Sequence, residues 1–171
     1  MKAIVIDLEK YLVLRLNLVV YSLGFLVPFL IAQPQLFTGA VVNALLYIAA
    51  DRLDKKNLLP LLVLPSLGAV SHGVLFGPQT VLLVFFLPFI WLGNLAMVTI
   101  FSFAKQQSFA LRVGASALAK YLLLYGAAHI YFRLNVVPKI FVTSMGMLQF
   151  VTACLGGLIA YFVIRRLNTH G

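Results

Sequence analysis

Acidic residues are nearly missing from this 171-residue chain. Asp7, Glu9, Asp51 and Asp54 are the only four, and all fall in its first third. No long apolar run contains a carboxylate. That leaves out a paired-acid site, a phosphate–metal site and a proton relay through Asp or Glu within a membrane. Charged residues of both signs make up 10% of the chain, against about 25% in soluble domains. They are too few to cover a water-facing surface. Cys154 is the single cysteine, so there is no disulfide framework and no Cys-based metal motif. Its place in an apolar run fits a small packing residue. HExxH, GxSxG and P-loop motifs are all missing. The chain is therefore expected to be no enzyme, to need no cofactor, and to hydrolyse no ATP by itself. Neither end carries a lipidation motif. Asp7 and Glu9, followed by an apolar stretch longer than the usual ~7–15-residue signal core, argue against a cleaved leader.

What is present is apolar. Hydrophobic residues make up 63% of the chain, and the mean hydropathy is +1.04. A spanning helix needs about 20 mostly apolar residues. Leu16 to Ala50 is a 35-residue stretch without a charge. Gln33-Pro34-Gln35 divides it, because proline disfavours helix in the residue before it. Asn57 to Ala104 is a second uncharged stretch, of 48 residues, with a turn signal at Gly77-Pro78-Gln79. The sequence therefore predicts an all-α integral membrane bundle of six transmembrane helices in one domain, 1–171. The spans are about 11–32, 36–50, 58–76, 80–104, 113–132 and 140–164. Asp51 to Lys56, Lys105 to Ser108 and Arg133 to Lys139 form charged or polar loops, and Arg165-Arg166 ends the last span.

The cations test this arrangement. The net charge is +9, yet the cations sit between and beside the apolar runs, not in the stripe a nucleic-acid surface needs. With six spans, Lys2, Lys10, Arg52, Lys55, Lys56, Lys105, Arg112, Arg165 and Arg166 share one side, and Arg133 and Lys139 the other. Loops rich in lysine and arginine stay in the cytoplasm. Both termini are thus expected to be cytoplasmic, in a multi-pass protein of the cell membrane.

Lys120 is the sharpest functional signal. It stands about eight residues into the fifth expected span, roughly 12 Å from its cytoplasmic end at 1.5 Å per residue. A cation at such depth costs at least about 2.5 kcal/mol and marks a functional site by default. The alternative is snorkelling along the four-carbon stem, which is also the natural reading of Arg15 near the end of the first span. No acid inside the membrane is available to pair with Lys120. Polar side chains gather in the outer half of the bundle: Asn43, Ser71, His72, Tyr125, His129, Thr143, Ser144, Gln149 and Thr152. They could hold a small polar solute or bond from helix to helix. His72, His129, Met145 and Met147 lack the spacing of a metal site, and no metal is expected. Small residues four apart, Ala115/Ala119 in the fifth span and Ala153/Gly157 and Gly156/Ala160 in the sixth, suit close helix packing or a partner's docking face.

Several segments resemble a known family. Gly39 to Leu46 (GAVVNALL), Leu64 to Ala69 (LPSLGA), Leu87 to Asn94 (LPFIWLGN), Ala119-Lys120 and Gln149 to Gly157 (QFVTACLGG) are similar to a group of energy-coupling-factor (ECF) transporter S components, across about Thr38–Arg166. The resemblance implies a small membrane protein that captures a vitamin or similar micronutrient on the outer side. It implies a transmembrane coupling subunit and two ATPase subunits as partners, with substrate released inside as the S component topples in the membrane. Asn43, His72, Tyr125, His129, Gln149 and Thr152 are the substrate-site candidates. Lys120, Ala115 and Ala119 are the candidates for the intramembrane charge and for partner coupling. Family members often dock the coupling subunit through small residues four apart in the first span, and here that span has no Ala-x-x-x-Ala. Besides this substrate-binding subunit of a micronutrient uptake transporter, a structural or assembly membrane protein without a small ligand stays open. A membrane enzyme is least supported. The sequence names no substrate and fixes no oligomeric state.

Overall fold

The computed structural model describes residues 2–31, 33–76 and 78–169, with side chains described for 15, 17–31, 33–75 and 82–169. It is helical along its length, with no strand among the described residues. The helices are α1 (Lys2–Leu30), α2 (Gln35–Arg52), α3 (Lys55–Phe76), a 3₁₀ segment (Pro78–Phe86) leading into α4 (Leu87–Phe103), α5 (Phe109–Arg133), α6 (Ile140–Met145) and α7 (Met147–Thr169). Four helical stretches are long and apolar enough to cross a membrane: Lys55–Leu75, Leu82–Phe103, Phe109–Arg133 and Ile140–Thr169; Asn17–Leu30 is a shorter apolar helix. Large side chains such as Val74, Leu122, Leu158 and Phe162 are exposed on the outer surface. In water such a surface would be a liability; against lipid it is the expected solvent contact.

The helix boundaries differ from the sequence expectation in ways with physical causes. Helix α1 runs on through the charged leader, since Asp7, Glu9 and Lys10 are all compatible with helix. Ala32, the expected end of that span, and Gly77, in the expected turn, lie outside the described residues. Asp51 and Arg52 complete α2, and Lys55 and Lys56 open α3, so the charged loop shrinks to Leu53-Asp54. Pro60 and Pro65 lie inside α3 without ending it. Helix α5 starts at Phe109, not at 113, because the Ser108 side chain accepts from the Leu111 N–H as an N-cap. Arg112, expected in a loop, is therefore in the first turns of α5 and is buried. The last expected span is split at Gly146 and continues past Arg165-Arg166 to Thr169. A Cβ at Gly146 would stand 2.5 Å from the Val142 carbonyl oxygen and 2.8 Å from Tyr125, so only glycine fits the break.

Helix α2 is the centre of the bundle. It is 18 residues long and is not among the helices long and apolar enough to cross a membrane. Thr38, Ala40 and the run from Val42 to Tyr47 are buried within it. Its closest neighbour is α7, with α5 against α7 and α4 against α5. Small residues let these backbones approach. A Cβ on Gly156 of α7 would lie 2.7 Å from the Ala44 nitrogen and 2.8 Å from the Ala40 carbonyl oxygen of α2. One on Gly157 would lie 2.4 Å from Val113 of α5. Ala153 and Ala160 are wholly buried on the same helix. The small-residue spacing of α7 is thus used inside the bundle.

Candidate functional site

Between α1, α2, α3, α4, α5 and the α6–α7 elbow lies a cavity of about 780 Å³, within the ~300–1,000 Å³ range of small-molecule sites. Pro28, Pro65, Val42, Leu82, Ile90, Phe141 and Met145 give it apolar walls. Gln33 and Gln35, just before and at the start of α2, and Pro138 and Ile140, beside α6, line it too. These lie toward the ends of the helices far from Arg52, Arg112 and Arg165.

Lys120 lines this cavity and is its one charged residue among the described residues. It stands eleven residues after the first residue of α5, about 16 Å along the axis at 1.5 Å per residue. That is deeper than the sequence reading places it. The side chain is 3% exposed and turns into the bundle, not to the interface. Its Nζ donates to Asn43 Oδ1 at 2.6 Å. Asn43 in turn donates from Nδ2 to Thr152 Oγ1 at 3.2 Å, and Thr152 donates to the Gln149 carbonyl at 3.1 Å. One chain of hydrogen bonds therefore joins α5, α2 and α7. Gly39 lets α2 come close to that chain, since a Cβ there would stand 2.9 Å from the Thr152 side chain. Gly93 does the same for α4, whose backbone lies close to the Lys120 stem.

An ammonium has three donors, and Lys120 uses one of them, on a neutral amide. Among the described residues no carboxylate pairs with it; the ion pairs there are Arg52–Asp51 and Arg112–Asp51. The site is thus a buried lysine beside a cavity, with no acidic partner among the described residues.

The other candidates divide between cavity and packing. Gln149 lines the cavity along with Asn43, and Thr152 stands behind Asn43. His72, Tyr125 and His129 are not among the lining residues. His72 is in α3 with its Nδ1 2.8 Å from the Phe29 carbonyl oxygen of α1. Tyr125 sits between Tyr121 and His129 on α5, with ring centroids 5.4 and 5.3 Å away, in a ladder against the α6–α7 elbow. Ala115 is exposed and Ala119 half-buried, and neither lines the cavity.

Two site features carry no clear sequence signal. Asn94 of α4 is buried and lines the cavity; its Nδ2 donates to the Leu62 carbonyl at 2.9 Å, and its Oδ1 has no partner among the described residues. Ser66 of α3 also lines it, accepting from Trp91 Nε1 at 2.8 Å. The sequence signal for Asn94 is a lone amide in a long apolar run, which by itself looks like an interhelical hydrogen bond.

Comparison with family models, curated proteins and solved structures finds no match to this chain.

Proposed function

We propose that this chain is the substrate-binding subunit of a micronutrient uptake transporter of the cell membrane, similar in role to an ECF S component. It crosses the bilayer six times with both termini in the cytoplasm, captures a small solute from the outer side, and is no enzyme. The observation that carries this reading is Lys120, in mid-helix, turned into a 780 Å³ cavity and bonded to a neutral amide. A charge that costs at least about 2.5 kcal/mol at that depth is hard to account for by packing alone. The end of the bundle that holds Arg52, Arg112 and Arg165 marks the cytoplasmic side by the loop-charge rule. The cavity-lining ends of the helices then face outward.

With no ATPase motif of its own, the subunit depends on a transmembrane coupling subunit and ATPase subunits. The exposed strip of α5 that includes Ala115 is the docking face this reading assigns to the coupling subunit. The test is native mass spectrometry of the protein purified from its own membrane. The expected result is a retained small molecule, together with a coupling subunit and two ATPases in the gentlest extracts. A chain that brings down other membrane proteins, retains no small molecule and is stabilised by none is a structural or assembly component.

A further inference from the structure

We propose that the solute of this cavity is an organic anion: an apolar body with a carboxylate that meets Lys120 and an N–H or O–H donor that meets Asn94. The inference rests on the substrate-binding reading and deepens it. Lys120 brings a formal charge and two donors not used by any described group. A carboxylate satisfies both needs at once, with charge-assisted hydrogen bonds roughly twice as strong as neutral ones. A neutral solute would leave the charge without a counter-ion in a low-dielectric wall, where it is costly.

Asn94 points to the second group independently. The Leu62 carbonyl oxygen can only accept, so the Asn94 atom facing it is the Nδ2 donor. The remaining Asn94 atom is therefore an acceptor. It is buried without a partner among the described residues, on a residue that lines the same cavity. A buried unpaired acceptor is expensive to leave so, and an incoming N–H or O–H relieves it. Gly93 brings α4 against the Lys120 stem, with a Cβ position 3.4 Å from Lys120 Cγ, so both groups serve one region of the cavity. Val42, Ile90 and Phe141 supply the apolar surround.

The experiment uses the full chain in nanodiscs of phosphatidylcholine alone, which keeps anionic lipid headgroups out. Three probes are titrated and thermal unfolding is followed. Indole-3-acetate has the carboxylate and the N–H. Indole-3-acetamide lacks the charge. 1-Methylindole-3-acetate lacks the N–H. The expected result is stabilisation by indole-3-acetate, weakened roughly tenfold or more in affinity by either change. Lys120→Met should abolish the difference between acid and amide, and Lys120→Arg should keep it. Both variants are to be checked as monodisperse and helical. Discs containing phosphatidylglycerol provide the other arm: loss of the acid's effect there means that a lipid phosphate takes the site, and the small-solute assignment falls. Equal binding of acid and amide overturns the anion while leaving a binding subunit standing. If no probe binds, native mass spectrometry of the untreated protein separates the two failures. A retained neutral molecule overturns the anion alone, and no retained molecule overturns the substrate-binding reading with it.

Discussion

Lys120 Nζ and Asn43 Oδ1 meet at 2.6 Å across the interface of α5 and α2, the one hydrogen bond that this intramembrane cation makes among the described residues. The pair fixes where the side chain can go. A lysine whose Nζ is held by a buried amide on the central helix does not snorkel, although its stem is long enough to try.

That geometry predicts a variant with separated effects. Lys120→Leu removes a charge costing at least about 2.5 kcal/mol at this depth and orphans Asn43 Oδ1, at about 1–3 kcal/mol. The two nearly cancel. The variant should insert and unfold at close to the wild-type temperature while losing uptake or complex formation. Full uptake with leucine at position 120 would return the residue to a structural role. Adding Asn43→Leu should remove the orphan and raise the unfolding temperature above that of the single variant.

Glycines on two helices should behave in opposite ways. At Gly156 an added Cβ meets the backbone of α2, at the Ala44 nitrogen and the Ala40 oxygen, and neither can give way. Gly156→Ala should destabilise by about 1–3 kcal/mol, as overpacked cores do. At Gly126 of α5 nothing lies within 4 Å of the new methyl group. Gly126→Ala should be neutral, or stabilising by up to about 1 kcal/mol through helix propensity. Thermal unfolding of both in the same detergent checks the contrast.

The sequence makes the rods legible because hydrophobic length and proline position act locally. Gln33-Pro34 separates α1 from α2, and the apolar runs mark α3 to α5, with no reference to tertiary structure. The elbow at Gly146 was not legible. Its cause is a carbonyl and a tyrosine ring brought close by folding, and a glycine among Thr143, Ser144 and Met145 gives no local sign of either. Asn43, Thr152, Gln149 and Lys120 stand out as polar groups in oily helices. Which of the polar residues converge depends on helix rotation, and here the structure separates Asn43, Gln149 and Thr152 from His72, Tyr125 and His129. The four-apart spacing of Gly156/Ala160 is visible in sequence, but spacing alone does not say whether the partner helix is internal.

Arg112 shows what a one-turn error in a helix start conceals. Placed in α5, its guanidinium lies 3.8 Å from the centre of the Phe101 ring, its Nε donates to the Phe101 carbonyl at 3.1 Å, and Asp51 stands 3.7 Å away. The planar cation stacks and donates in one posture, which a lysine ammonium cannot copy. Arg112→Lys should therefore lose most of what Arg112→Ala loses, roughly 1–2 kcal/mol from the ring and hydrogen-bond contacts together. Asp51→Asn should cost less, because that pair is longer and partly open to solvent. Equal stability of the lysine variant and wild type would mean that charge alone matters at this position.

The cavity assignment and the membrane orientation can be tested together with two sets of variants. Gln149 lines the cavity without joining the Lys120 chain through its side chain, while His129 is outside the lining. Gln149→Ala should weaken binding of a retained solute, by roughly three- to tenfold for one lost hydrogen bond, with helicity unchanged, whereas His129→Ala should leave the affinity alone. A cysteine-free background, Cys154→Ala, then receives Gln106→Cys in the exposed turn before α5 or Val136→Cys in the exposed turn after it. A membrane-impermeant maleimide added to intact cells should label position 136 and not 106. Labelling of 106 alone would turn the cavity toward the cytoplasm, where it could not capture a solute from outside, and the affinity loss at Gln149 would then belong to an export or sensing site.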